Sequence, residues 1–145
     1  MNEEYRTPSL SCKICGAPSV PRSYLCARCR HLMRRVETRK DASGRGRKVD
    51  MSARFRAMKN QWDSQVEAFR CYYTQIALVD AHGSRRSATW EHISPGDESS
   101  VVLVADLINK MKGDMQESEF RAVVTALAAF FSEGSFDESA FPLDR

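Results

Sequence analysis

At 145 residues the chain has room for one ordinary domain or two small modules. Hydrophobic content of 42% and charged content of 28% are those of a folded globular protein, and no apolar run approaches the roughly twenty residues of a helical membrane span. The net charge of +3 hides an asymmetry: residues 1–75 carry 16 Lys or Arg against 7 Asp or Glu, and residues 76–145 carry 6 against 12. A basic half points to an anionic partner and an acidic half is compatible with cation binding, although mutual attraction of the halves would account for the charge equally well.

The opening MNEEYRTPSL is polar and without period, and reads as a loose tail. It has neither the basic start nor the apolar core of a secretory leader, so a cytoplasmic location is expected. Next comes CKICGAPSVPRSYLCARC, in which Cys12 and Cys15, and again Cys26 and Cys29, are separated by two residues. Zinc takes four soft ligands in a tetrahedron, and each C-x-x-C turn aims two thiolates at one centre. Disulfides and a redox pair are the competing readings. The first needs an oxidising compartment and the second needs only one C-x-x-C, so structural Zn2+ is favoured. Gly16 suits a tight knuckle, the second pair should open a helix, and the whole resembles a zinc ribbon or treble-clef finger. His31 is a conceivable substitute ligand that four cysteines make unnecessary.

From Arg22 to Lys48 the chain carries ten Lys or Arg against Glu37 and Asp41 alone. Arg28, Arg30, Arg34, Arg35, Arg39 and Lys40 follow the second cysteine pair, and Arg45, Arg47 and Lys48 sit in the Ser/Gly-containing DASGRGRK. A basic helix and linker of this kind can track a phosphate backbone without reading bases; a solvated helix face is the bland alternative. Asp50 should cap a helix running to about Phe69, with Met51, Phe55, Met58, Trp62, Val66 and Phe69 on one apolar face. Arg54, Arg56 and Lys59 flank that stripe and could extend the basic surface.

Cys71 has no nearby partner and reads as a buried thiol. Tyr72 to Val79 should form a strand or knuckle, followed by a turn at Asp80-Ala81-His82-Gly83. Arg85 and Arg86 lie just beyond it, placed to clamp a phosphate or simply to be solvated. His82 reads as exposed and idle. A β-prone run from Ser87 to Ile93 ends in Glu91-His92, a turn-rich stretch occupies Ser94 to Ser100, and the apolar run Val101 to Val104 leads into a helix carrying Asn109 and Lys112. Asp114 and Glu117 suggest a capping box for a last helix, with Phe120, Val123, Val124, Leu127 and Phe131 on one face and Gly134 as its stop. That helix should buttress the unit before it. Phe136, Phe141 and Leu143 offer further packing.

WEHISPGD followed by VVLVADLINKMKGD resembles the HNH, or His-Me finger, nuclease module. Its members read as acid-His-Ile-x-Pro, then Asn-Leu-Val, then Cys-Asn-x-x-Lys-Gly-Asp before a Glu-Phe helix. The resemblance covers residues 69 to 132, and FRCYYTQIAL resembles the family's entry knuckle. It implies that Glu91 is a metal-binding acid, His92 the general base and Asn109 the last metal ligand, with Lys112-Gly113-Asp114 at the helix exit. The family's middle Asn falls near Ser100, which would orient His92 in its place, with Lys112 or Asp114 behind the ligands. Where many relatives have cysteines, Thr74, Ala105 and Ile108 stand.

The expected fold class is therefore α+β and mainly helical. A zinc-finger module spans residues 1–38, a basic linker residues 39–49, and residues 50–145 form a long helix, a ββα-metal core and a buttressing helix. The expected activity is a nucleic-acid endonuclease in which His92 activates water and Glu91 and Asn109 hold Mg2+ or Mn2+, with double-stranded DNA as partner and no membrane association. Neighbouring strand residues point to opposite faces, so Glu91 and His92 converge only if the strand bends near Pro95 and Gly96. Two other classes stay open: an inactive nuclease fold that binds nucleic acid, and a zinc-stabilised adaptor for protein partners.

Overall fold

The computed structural model describes residues 7–35, 49–135 and 137–140. Arg39, Lys40, Arg45, Arg47 and Lys48 lie outside the described residues, as do Phe136, Phe141 and Leu143. The described chain is α+β, with four helices, two small antiparallel sheets and a cysteine cluster near the N-terminus.

Around the first cysteine pair the chain turns tightly. Gly16 takes φ +77°, a conformation open to glycine without strain, and its N–H donates to the Cys12 carbonyl at 2.9 Å. Helix α1 (Ala27–Arg34) is capped by Cys26, whose sulfur accepts from the Cys29 amide at 3.4 Å. It buries Cys29, Leu32 and Met33, which recur at the spacing of one helical face. The second pair therefore does open a helix.

Asp50 caps α2 (Met51–Gln61) by accepting from the Ala53 amide at 2.9 Å. The helix stops at Gln61, short of the expected Phe69. Trp62–Asp63 (β1) and Ala68–Phe69 (β2) pair instead as a small hairpin, Trp62 opposite Phe69. Local chemistry explains the difference: the Asp63 carboxylate accepts from the Gln65 amide at 2.9 Å and from Arg70 at 3.0 Å, and Glu67 takes φ 51°. A side chain that satisfies turn amides competes directly with helix continuation. Trp62 and Phe69 still meet, rings 5.0 Å apart at 67°, but Val66 is left 47% exposed at the hairpin tip.

The next segment folds back on itself, with Arg70 bridged to Ala77 and the Cys71 amide donating to Ile76. Cys71 is fully buried, and its sulfur accepts from the Ala105 amide at 3.4 Å. Strands β3 (Ala88–His92) and β4 (Val101–Ala105) pair antiparallel with Ala88 opposite Ala105 and His92 opposite Val101. All five residues of β4 are buried, as befits a β-branched run covered on both faces. The other edge of β4 is closed largely by a side chain: the Gln61 amide donates to the Leu103 carbonyl at 2.7 Å and accepts from the Leu103 N–H at 2.9 Å, and the Tyr72 backbone amide donates to the same carbonyl at 3.0 Å. That replaces a strand partner and leaves neither backbone group orphaned.

Helix α3 (Asp106–Lys112) follows β4 directly and packs on both strands of the hairpin. Helix α4 (Glu117–Glu133) is capped by Gln116 with Glu119, in place of Asp114 with Glu117. Glu117 is occupied elsewhere, pairing with Arg121 at 2.6 Å. The Gly134 stop is as expected, φ +77°. The helix docks chiefly by its first turns, where Phe120 meets Tyr73 edge-on at 5.3 Å. Farther on, Val124, Phe130 and Phe131 are exposed, Phe131 by 81%, so α4 buttresses less than its apolar face implied. One core cluster runs from Cys12 through Met33, Phe55, Phe69 and Trp90 to Ala105, joining the cysteine segment to the β3–β4 hairpin.

Candidate functional site

The four cysteines come together. Their sulfurs all lie within 4.8 Å of one another, with Cys15 and Cys26 3.6 Å apart, and all stand as free thiols. Zn–S bonds of about 2.3 Å in a tetrahedron place sulfurs about 3.8 Å apart, so this arrangement suits a zinc ion with little movement. Burial raises the Cys12 thiol, but amides of Cys15, Cys26 and Ile14 outweigh it and bring it down to about 7. Burial pushes Cys15 up to about 11, and burial with three neighbouring sulfurs pushes Cys29 higher still. Such a cluster is protonated in part at neutral pH until a cation enters it. The cysteines are positioned to bind a metal ion, consistent with structural zinc, and His31 is exposed and outside the set.

The basic residues divide into two groups. Arg30, Arg34 and Arg85 are exposed, as is Arg86, although its guanidinium also donates to the Ala77 carbonyl at 2.9 Å. Arg28 and Arg35, although expected to face phosphate, are spent partly on the fold: Arg28 pairs with Asp80 at 2.6 Å, and Arg35 donates to the Ala88 carbonyl at 3.0 Å. Arg54 leaves the surface altogether. It is 3% exposed, donates to the carbonyls of Met33 and Arg35 at 2.9 and 2.6 Å, and lies 4.8 Å from the Trp90 ring. Those carbonyls lie at the end of α1, so Arg54 serves as a cap from outside the helix. Arg56 donates to Ser52 within its own helix.

At the end of β3, Glu91 and His92 have different neighbours, as strand alternation dictates. Glu91 is 6% exposed. Its Oε1 accepts from the His92 amide at 2.9 Å and lies 3.3 Å from the Lys112 ammonium. Lys112 is fully buried and also donates to the carbonyls of His92 at 3.1 Å and Met115 at 2.6 Å. Burial, then the charges of Glu117 and Glu91, raise the Tyr73 hydroxyl. His92 turns the other way. Its Nε2 lies 3.1 Å from Glu98 Oε2 without the alignment of a hydrogen bond.

Ser100 does not reach the imidazole; its hydroxyl donates to the Asp97 carbonyl at 3.1 Å and accepts from the Ser94 amide at 3.3 Å. The residue beside His92 is Glu98, which no periodicity marked because it sits in a turn. Asn109, half-buried on α3, has a side-chain amide uncommitted among the described residues. Three atoms in this region, Glu91 Oε2, His92 Nε2 and Glu98 Oε1, are buried without hydrogen-bond partners. Buried polar atoms are normally paired, so each of these marks a separate spot where a water would be satisfied; among the described residues, the group of His, Cys, Asp or Glu side chains placed to share one ion is the cysteine cluster. Carboxylate and amide oxygens are of the donor type that Mg2+ and Mn2+ accept. Lys112 works against such an ion by bringing a positive charge of its own.

Among the described residues, no helix is long and apolar enough to cross a membrane. No protein-family model, no characterised protein and no solved structure matches the chain.

Proposed function

We propose that this chain is a metal-dependent nucleic-acid endonuclease of the HNH, or His-Me finger, type, acting on DNA. The observation that carries the reading is the β3–β4–α3 unit with a half-buried His92 at the end of its first strand and a carboxylate 3.1 Å from its Nε2. His92 accepts a proton from water, and Glu98 stabilises the imidazolium so formed, the role a carboxylate plays beside a catalytic histidine. Glu91, through its unpartnered Oε2, and Asn109 would hold Mg2+ or Mn2+, which supplies charge neutralisation at the phosphodiester. Exposed Arg30, Arg34, Arg85 and Arg86 contact phosphates, and the cysteine centre holds α1 in place.

Lys112 favours a second reading, a nucleic-acid-binding module without cleavage, because its ammonium already serves as the cation beside Glu91. Supercoiled plasmid incubated with Mg2+ or Mn2+ separates the two. Nicking by the wild type that is lost in His92→Ala supports the nuclease. Retardation in a gel without cleavage in either metal sinks it and leaves the binding module.

A further inference from the structure

A cleft of about 510 Å³ opens between α1 and the 79–88 segment. Residues far apart in the sequence line it: His31 and Arg35 from α1 on one side, His82 from the loop on the other, over an apolar floor that includes Leu32, Val79 and Ala88. Two contacts tie the walls together, Arg28 to Asp80 at 2.6 Å and Arg35 to the Ala88 carbonyl at 3.0 Å. Asp80 offsets Arg28, whereas Arg35 has no acidic partner among the described residues. The cleft therefore keeps an excess of positive charge, with two exposed imidazoles at its edge, above a floor that prefers an apolar surface. Arg85 and Arg86 stand exposed on the loop that bounds it.

We propose that this cleft receives one unpaired nucleotide of a nucleic-acid strand, its phosphate at Arg35, His31 and His82 and its sugar and base on the apolar floor. The proposal rests on the nucleic-acid reading above and adds where a strand is held and in what form. Pockets for small ligands run to about 300–1,000 Å³, which accommodates a single nucleotide and not a duplex. Charge and shape agree, since single strands are held by a basic groove that follows the backbone and by surfaces that take the bases regardless of sequence. Position agrees as well. Ala88 lines the cleft and begins β3, which ends at His92. Four strand residues span about 13 Å at about 3.3 Å each, so the cleft and His92 lie within reach of one bound strand.

Fluorescence anisotropy tests this with a short labelled oligothymidylate, a duplex of the same length and inorganic phosphate as competitor, without added divalent ion. His31→Ala/His82→Ala should weaken single-strand binding about tenfold and duplex binding by less than about twofold. Inorganic phosphate should displace the oligonucleotide from the wild type; failure to do so removes the phosphate from the cleft and overturns the proposal. His82→Ala alone, remote in sequence from the cysteines, should give part of the same loss, and zinc content and melting temperature verify that the variants fold. An unchanged single-strand affinity in the double variant overturns the proposal, and so does an equal fall for both nucleic acids. A wild type that binds duplex but no single strand overturns this inference and leaves the nuclease reading intact. Single-strand binding that depends on the histidines in a protein that cleaves nothing supports the cleft and removes the nuclease.

Discussion

The indole nitrogen of Trp90 donates to the carbonyl of Leu32 at 2.9 Å, joining the middle of β3 to the last turn of α1. Trp90 is 1% exposed, so the bond is made in a dry interior where breaking it leaves a buried group unpaired. The cysteine centre and the strand that carries His92 are thereby parts of one packed body. Helix α1 is short and its start is held by cysteine sulfur, so what binds those sulfurs should be felt at Trp90.

Metal removal should be visible there first. One zinc per chain is expected by elemental analysis, and chelation should shift Trp90 emission to the red and lower the melting temperature. A Cys29→Ser variant, altered at a fully buried position, should reproduce both effects without chelator. Retention of native emission after zinc is stripped would refute the coupling.

Zinc affinity should fall with acid, and the sign follows from the thiols. Cys15 is raised to about 11 and Cys29 is raised further, so both are protonated in the metal-free chain at pH 7 and must lose protons to bind zinc. At least two displaced protons make affinity drop at least about a hundredfold per pH unit below neutrality, more steeply once Cys12, at about 7, is protonated as well. Competition with a chromophoric chelator across pH 6 to about 7.5 measures that slope; a slope of one proton or fewer would contradict it.

Glu91 and Lys112 form a buried ion pair whose members depend on each other. Lys112→Met leaves the carboxylate buried without its cation, and Glu91→Gln strands the ammonium; each should cost about 3–5 kcal/mol in urea denaturation. The double variant should recover part of the loss, because the desolvation cost disappears with both charges while the His92 and Met115 carbonyls still lack the ammonium. Additive losses would show that the pair is not coupled.

Glu98 differs, because it lies in a turn and supports no core. Glu98→Gln should leave the melting temperature within a degree or so and slow metal-dependent cleavage about tenfold to a hundredfold, while His92→Ala abolishes it. Plasmid nicking measured beside thermal unfolding reads both. Wild-type rates in Glu98→Gln would remove the residue from the reaction.

Helix α4 should loosen before the rest of the molecule. Phe120 is 5% exposed against Tyr73, whereas Phe131 is 81% exposed. Phe120→Ala should cost about 3 kcal/mol in local stability and speed amide exchange throughout α4 while β4 stays protected; Phe131→Ser should change stability by less than about 0.5 kcal/mol. Equal exchange in α4 and β4 would mean the helix unfolds only with the core.

Much of this protein is readable along the chain, because the physics concerned is local. The C-x-x-C spacing brings Cys12, Cys15, Cys26 and Cys29 to one centre, Asp50 caps the helix it precedes, Gly134 ends the last one, and the strand-turn-strand-helix order from Ala88 to Lys112 follows from β-branched runs broken by turn residues. Each depends on residues close along the chain, none farther apart than the two cysteine pairs or the two strands of one hairpin, where residue type and spacing suffice. Tertiary packing decided the rest. It turned Arg54 inward as a cap for α1, exposed Arg30 and Arg34 while engaging Arg28 and Arg35, placed Glu98 rather than Ser100 beside His92, and gave Glu91 to Lys112. Charge alone cannot distinguish these fates, since a guanidinium in solvent and one satisfied by buried carbonyls look identical until the distant groups that pair with it are brought within reach.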